Sequence, residues 1–173
     1  MKRIFLVLSF LCLASLVACD APMQLRFDSV YFFQSEDELA KKKVNLEHMS
    51  IYTRNLQAAV SKALKNAKNQ QIPVTRAYVV VAVRSDNEVA VWLDAEPAMH
   101  EYFEYEITEA VRKLGPFQVD SGIVVFAIKM AINTPVHIEK AIPAPKEWQT
   151  AKSKVGDPSD IEQVVLAAWP QYE

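Results

Sequence analysis

The sequence predicts an α+β domain, a two-layer sandwich in which a three- to four-stranded, mainly antiparallel sheet carries two helices on one face. Two observations lead to this class. Apolar residues alternate with a period of two in some segments and recur at steps of three and four in others. These segments follow one another as strand, helix, hairpin, helix and strand, and a hairpin imposes antiparallel pairing. The domain is expected at residues 23–133.

The first strand is predicted at residues 23–33, where four apolar side chains share one face of the period-two pattern: Leu25, Phe27, Tyr31 and Phe33. A polar segment follows at 34–43. The apolar period then changes to that of an amphipathic helix over residues 45–67, about six turns long. Pro73 ends the polar run behind this helix and separates it from the next strand.

Two β-branched runs at 74–84 and 89–94 flank a short polar turn and predict a hairpin. A second helix is predicted at 98–114, because Gly115 and the following proline form a stop signal. The last strand is predicted at 121–132. Its large apolar side chains occupy every second position and are expected to face the helices: Val124, Phe126, Ile128, Met130 and Ile132.

The opposite face of the predicted sheet is also apolar, through Tyr78, Val80, Ala82, Ala90, Trp92, Ile123 and Val125. Such a face either marks a contact surface or is covered by another part of the chain. Residues 134–173 form a Pro-rich connector and a short C-terminal helix expected to pack on the domain. Trp148, Trp169 and Tyr172 of this tail are the candidate covering residues.

Length and charge limit the possible functions. The 173 residues are 51% hydrophobic, enough for a full core without disulfides. Lys and Arg number 19 against 21 Asp and Glu, and the longest basic run covers only residues 41–43. A nucleic-acid binder needs a basic face that neutralises phosphates. Nucleic acid is therefore not an expected partner.

The chain begins with the pattern of an export signal, a basic start followed by an apolar run over residues 4–17. That run is shorter than the ~20 residues that cross a bilayer. Leu16-Val17-Ala18-Cys19 resembles the lipobox of bacterial lipoproteins. The resemblance implies that residues 1–18 are removed as a signal peptide and that Cys19 is acylated, which leaves a lipidated tether at 19–22. The alternative is an ordinary secretory signal with a free Cys19 thiol.

Membrane attachment and sorting follow from this resemblance. Two or more acyl chains give lasting attachment to the lipid bilayer, where one gives marginal binding. Asp20 resembles the inner-membrane retention signal of enterobacterial lipoproteins. The expected location is therefore the periplasmic side of the cell membrane, with the inner membrane favoured and the outer membrane as the alternative.

From the first helix onward, the order helix, strand, strand, helix, strand resembles the C-terminal domain of TonB and TolA. The correspondence is clearest where residues 109–114 lead through Pro116-Phe117 into residues 121–125. The resemblance implies an open edge on the final strand, to which a partner could add a strand. The chain departs from TonB because a lipobox replaces the membrane helix and no Pro-rich spanning segment is present. With the strand at 23–33 included, the order is also ferredoxin-like, the alternative fold.

No catalytic, metal or cofactor site is expected. His48, His100 and His137 lie on separate predicted elements, without a second ligand at metal-binding spacing. The three glycines are isolated from one another, which excludes a Gly-rich phosphate loop. A group of carboxylates could perform acid-base work, but a solvated helix face explains it more simply. The group comprises Asp94, Glu96, Glu101, Glu104, Glu106 and Glu109.

The sequence therefore predicts a non-enzymatic, membrane-anchored periplasmic module that binds another envelope protein or a toxin. Contact is expected at a sheet edge and at the acidic second helix, through Glu101, Glu104, Tyr105, Glu109 and Trp92. One alternative is an immunity protein, because loss of Lys2 and Arg3 from a formal charge of −2 leaves about −4, which would steer a basic toxin. A second alternative is an envelope enzyme that uses the acidic cluster. The oligomeric state is left open.

Overall fold

The computed structural model describes residues 23–67, 74–134 and 142–171. The predicted signal peptide and tether, including Cys19 and Asp20, lie outside these residues, as do His137 and Tyr172. The elements in chain order are β1 (Leu25–Phe32), α1 (Glu36–Lys41), α2 (Leu46–Asn66), β2 (Thr75–Arg84), β3 (Val89–Glu96), α3 (Glu101–Arg112), β4 (Ile123–Ile132), α4 (Lys146–Lys152) and α5 (Ile161–Ala167). None of the described helices is long and apolar enough to cross a membrane.

The predicted α+β class is confirmed. Four antiparallel strands form one sheet in the order β1-β4-β2-β3, and α2 and α3 pack on one of its faces. The ferredoxin-like alternative is wrong, because it places the first strand inside the sheet, whereas β1 lies at an edge. The open edge that the TonB resemblance implies for the final strand is also wrong, since β1 covers that side of β4. The two sheet edges belong to β1 and β3.

The single face predicted for the first strand is wrong as well. A register shift between Phe27 and Ser29 leaves Asp28 as an extra residue opposite β4. Because side chains alternate between faces, one extra residue reverses which face the following side chains occupy. Leu25 and Phe27 therefore pack against the helix-side core, whereas Tyr31 and Phe33 pack against the opposite face.

The helix-side core forms where the alternation of β4 was predicted to place it. Val124, Phe126, Ile128, Met130 and Ile132 all belong to this core and are fully buried. Phe126 lies at its centre, with its ring 6.2 Å from that of Tyr52 on α2 and 6.1 Å from that of Phe117. Burial also raises the pKa of the Tyr52 hydroxyl.

The tail covers the second face of the sheet, so the covering interpretation of Trp148 is correct. Trp148 is 2% exposed, and its ring lies 5.5 Å from that of Trp92 and 5.1 Å from that of Phe33. α5 adds Val164 and Val165, both fully buried. The second apolar face is thus a core between the sheet and the two tail helices. Of its two buried tryptophans, β3 carries Trp92 and α4, which the sequence analysis did not predict, carries Trp148.

A contact between three chain segments holds α5 in place. Lys42 Nζ donates to Glu162 Oε1 at 2.6 Å, and Ile123 N donates to Glu162 Oε2 at 3.1 Å. Gly122, with φ of +66°, lies beneath this ion pair, and a Cβ there would come within 2.6 Å of Lys42 Nζ. A side chain at position 122 would therefore displace the ion pair that ties α5 to β4.

Candidate functional site

A groove follows the open edge of β3, between α3 and the tail. It consists of two adjoining cavities of about 430 and 470 Å³, both of which contact Arg112 and Pro170. The first is lined by Val91, Trp92, Glu101, Glu104, Tyr105, Thr108, Glu109, Arg112, Lys146, Glu147, Ala168 and Pro170. We call both cavities together the β3 groove. All five residues predicted to contact a partner line its first cavity.

The floor of the β3 groove is a strand edge with free hydrogen-bonding capacity. Arg84 N donates to Glu88 O at 2.9 Å, which fixes the alternation of the β2–β3 ladder. Trp92 and its alternate neighbours therefore bond to β2, whereas Val89, Val91 and Leu93 direct their N–H and C=O groups away from the sheet. Within residues 23–67, 74–134 and 142–171, no hydrogen bond to these outward backbone groups is formed.

Helix α3 forms the first wall of the β3 groove. It begins after His100, whose Nδ1 accepts a hydrogen bond from Tyr102 N at 3.2 Å, so this histidine caps the helix. Phe103, Ile107 and Val111 turn into the core. Helical periodicity consequently places the acidic positions and Tyr105 on the outer stripe, where Tyr105 is 63% exposed.

The carboxylates of this wall differ in their partners. Glu109 pairs with Arg112 at 2.7 Å, and Glu104 pairs with Lys146 of α4 at 3.3 Å, an ion pair that joins the two walls. Glu101 is exposed and forms no ion pair within the part of the chain that the structure describes. It is the carboxylate of the three that can pair with a ligand at no cost to an existing ion pair.

The tail forms the second wall, which the sequence analysis missed. Lys146 and Glu147 start α4, and Ala168 and Pro170 follow α5. No local pattern could identify them, because they reach β3 only through the packing of the tail on the sheet. Trp92 lines the groove but is 4% exposed, and its ring lies between Trp148 and Trp169. The indole of Trp92 is therefore part of the core between the sheet and the tail and offers little surface to a ligand.

The six predicted carboxylates do not form one cluster. Glu101, Glu104 and Glu109 share the β3 groove, whereas Glu106 lines the cleft between α2 and α3. Asp94 is 8% exposed and accepts a hydrogen bond from Ala144 N at 2.8 Å, so it fixes the approach to α4. Burial and, after it, the charge of Asp94 raise the pKa of Tyr78, its cross-strand neighbour.

Metal ligation finds no support among the described residues, where no three His, Cys, Asp or Glu side chains gather in a metal-binding arrangement. No protein family model, curated protein or solved structure matches this chain. The likeness to TonB and TolA and the lipobox therefore stay predictions from sequence patterns. The geometry of the β3 groove is what bears on function.

Proposed function

We propose that this protein is a membrane-anchored periplasmic lipoprotein that binds another protein through the β3 groove and has no catalytic activity. One observation carries the proposal. The residues of α3 and of β3 that the sequence predicts as contacts for a partner line a single groove along a strand edge. A free strand edge beside a polar wall with one exposed tyrosine is typical of a protein contact.

The charges in the β3 groove favour binding over acid-base chemistry. A catalytic carboxyl pair needs two groups in contrasting environments, one of which holds a proton. Two of the three α3 carboxylates in the groove, Glu104 and Glu109, already face a cation. Ion-paired carboxylates of this kind orient side chains and select a partner by charge.

The proposed tether would hold the groove near a membrane surface. Met23, the first described residue, follows Cys19 by four residues. Four residues extend at most about 14 Å. An acylated Cys19 would therefore confine partner search to the periplasmic surface of the membrane, the inner one if Asp20 acts as a retention signal. The partner would be another envelope protein or, in an immunity protein, a delivered toxin.

Replacing Cys19 with Ser is expected to block acylation and leave the precursor with its signal peptide attached. The reason is that the acylated thiol, not the fold, directs cleavage before this residue in proteins with a lipobox. Metabolic labelling with palmitate and the gel mobility of the product measure both effects. Cys12→Ser, within the predicted signal, is the matched control and should label normally. A mature, soluble Cys19→Ser product would contradict lipidation.

Binding itself is tested with a photo-crosslinking amino acid placed at Tyr105, the most exposed aromatic residue of the groove wall. Illumination of intact cells is expected to give one dominant adduct. The same amino acid at Leu46, which is 71% exposed at the start of α2 and outside the groove, is the control. Equal adducts at both positions, or none at position 105, would contradict the proposed function.

A further inference from the structure

We infer that the occupant of the β3 groove is an extended segment of the partner that carries basic side chains and adds a fifth strand beside β3. The inference rests on the proposed binding function and specifies the partner's chemistry. It commits to backbone pairing with a named strand edge. It also specifies the charge of that segment. The unpaired strand edge supports the first statement, and the excess of carboxylates in the groove supports the second.

Backbone pairing follows from the geometry of β3. Residues 89, 91 and 93 direct N–H and C=O groups to the side away from β2 and are 8%, 5% and 7% exposed. Val91 lines the first cavity and Val89 the second, so both cavities reach this edge. An added strand would lie about 4.8 Å from β3. Its alternate side chains would then contact α3 on one side and the tail on the other. The inner strands β2 and β4 are likewise covered by helices α2 and α3 on one face and by the tail on the other.

The other sheet edge is poorly suited to pairing. The extra residue Asp28 interrupts the ladder of β1, and its carboxylate is held by Arg26 Nε at 2.5 Å. Bulges and charges are devices that protect an edge from strand addition. β3, in contrast, pairs with β2 over eight consecutive positions without a shift. Of the two edges, β3 is the regular one.

The charge of the groove selects a basic segment. Its first cavity contains four carboxylates, of Glu101, Glu104, Glu109 and Glu147, against the two cations Arg112 and Lys146. The second cavity adds Arg84 and Glu88, which pair with each other at 3.1 Å, so the excess of carboxylates lies in the first. Glu147 already lies 3.9 Å from Lys146 through Oε1, and its Oε2 is buried. Glu101 is exposed and has no ion pair within the described residues. A basic side chain at the Glu101 end of the groove would find an unused acceptor.

The same charge argues against a second copy of this chain as the occupant. Pairing of two β3 edges would bring two α3 helices with the same acidic stripe close to each other. Like charges in opposed positions are destabilising. A partner with the opposite charge meets no such repulsion, so the β3 groove favours a different protein.

The inference is tested on the acylated full-length protein in detergent micelles, with synthetic peptides as probes. Peptides of eight residues that alternate valine with lysine, or valine with glutamate, differ only in charge. A third probe is the lysine peptide methylated on its four central backbone nitrogens, which removes donors and keeps the charge. Binding is measured by fluorescence anisotropy at low salt.

The lysine peptide is expected to bind, the glutamate peptide is not, and methylation should weaken binding by about tenfold or more, since several backbone bonds are lost. Glu101→Gln should weaken binding of the lysine peptide about two- to fivefold, as for an exposed charge pair. Glu106→Gln, the same change on the side of α3 that faces α2, should have no effect. No binding of the lysine peptide, equal binding of the methylated one, or equal binding of both charges overturns the inference.

A second test uses the cellular crosslink at Tyr105. Val91→Pro removes an N–H that points away from β2, so the ladder is kept while pairing with a partner is blocked. The crosslink should disappear in Val91→Pro and persist in Val91→Ala, which retains the N–H. A crosslink that persists in a folded Val91→Pro protein overturns strand addition but leaves the proposed function standing. If Val91→Pro does not fold, the peptides decide.

Discussion

Replacing Phe126 with Asp is expected to abolish the folded state. Phe126 is fully buried on β4, one of the two inner strands of the sheet, with the rings of Tyr52 and Phe117 packed against it. A carboxylate at this position would lie among apolar side chains and away from water, since Phe126 is 0% exposed within the helix-side core. Burying an unpaired charge costs several kcal/mol, against a total stability of about 5–15 kcal/mol for a domain. Far-UV circular dichroism and urea unfolding measure the loss.

Phe32→Asp is the matched control for this variant. Phe32 pairs with Phe126 across the β1–β4 ladder, yet it is 38% exposed. Its carboxylate would remain hydrated, so the free energy of unfolding should fall by no more than about 1–2 kcal/mol. Comparable loss in both variants would mean that β4 does not present Phe126 to a closed core. A native-like Phe126→Asp protein would contradict the burial of this position altogether, because the helices cover one face of β4 and the tail covers the other.

The four strands and the longer helices were predictable because their signals are local, whereas the seven-residue α4 was not predicted. The period-two pattern of β4 places Phe126 and Ile128 in the helix-side core, and the structure confirms this. The helical period of residues 45–67 likewise predicts α2, which spans Leu46–Asn66. Each of these patterns is set by the backbone geometry of one element, so no information about the rest of the chain is needed.

The errors arise where a residue's position depends on a partner strand. The bulge at Asp28 is defined by the register of β1 against β4, and β1 alone shows only an imperfect alternation. The edge position of β1 depends on which strands pair over long sequence separations. Neither is encoded in hydrophobic periodicity, which is why one face of β1 and the location of the open edges were predicted wrongly.

The β3 groove divides in the same way. Its α3 wall was predictable, because helical spacing alone places Glu101, Tyr105 and Glu109 outside the apolar stripe. Its other wall was not, since Lys146 and Pro170 lie some 40 to 70 residues further along the chain than these and come to the same cavity as Val91 and Trp92 only through tertiary packing. When a surface is built from distant segments, a single sequence thus predicts only the segments that carry a local pattern.

Replacing Trp148 with Ala is expected to lower the free energy of unfolding by about 3–5 kcal/mol, the range for a buried aromatic truncated to Ala. The indole fills the space between Phe33 and Trp92, and no other described side chain of α4 is as large and as deeply buried. The resulting cavity would loosen α4, and with it the Lys146 that pairs with Glu104 across the groove. The crosslink at Tyr105 should therefore weaken together with stability, which urea unfolding measures.

Trp148→Phe is the matched control, because it keeps an aromatic ring in the core and removes no hydrogen bond formed in the described part of the chain. Nε1 of Trp148 is buried without a partner within the described residues, so removing it leaves no acceptor unpaired. Phenylalanine keeps most of the volume, and the cost should stay below about 1.5 kcal/mol with the crosslink retained. If Trp148→Ala were as stable as the unmodified protein, the tail would be a peripheral segment and could not form a wall of the groove. If stability fell but the crosslink persisted, the partner would contact α3 alone, and the second wall would have no part in binding.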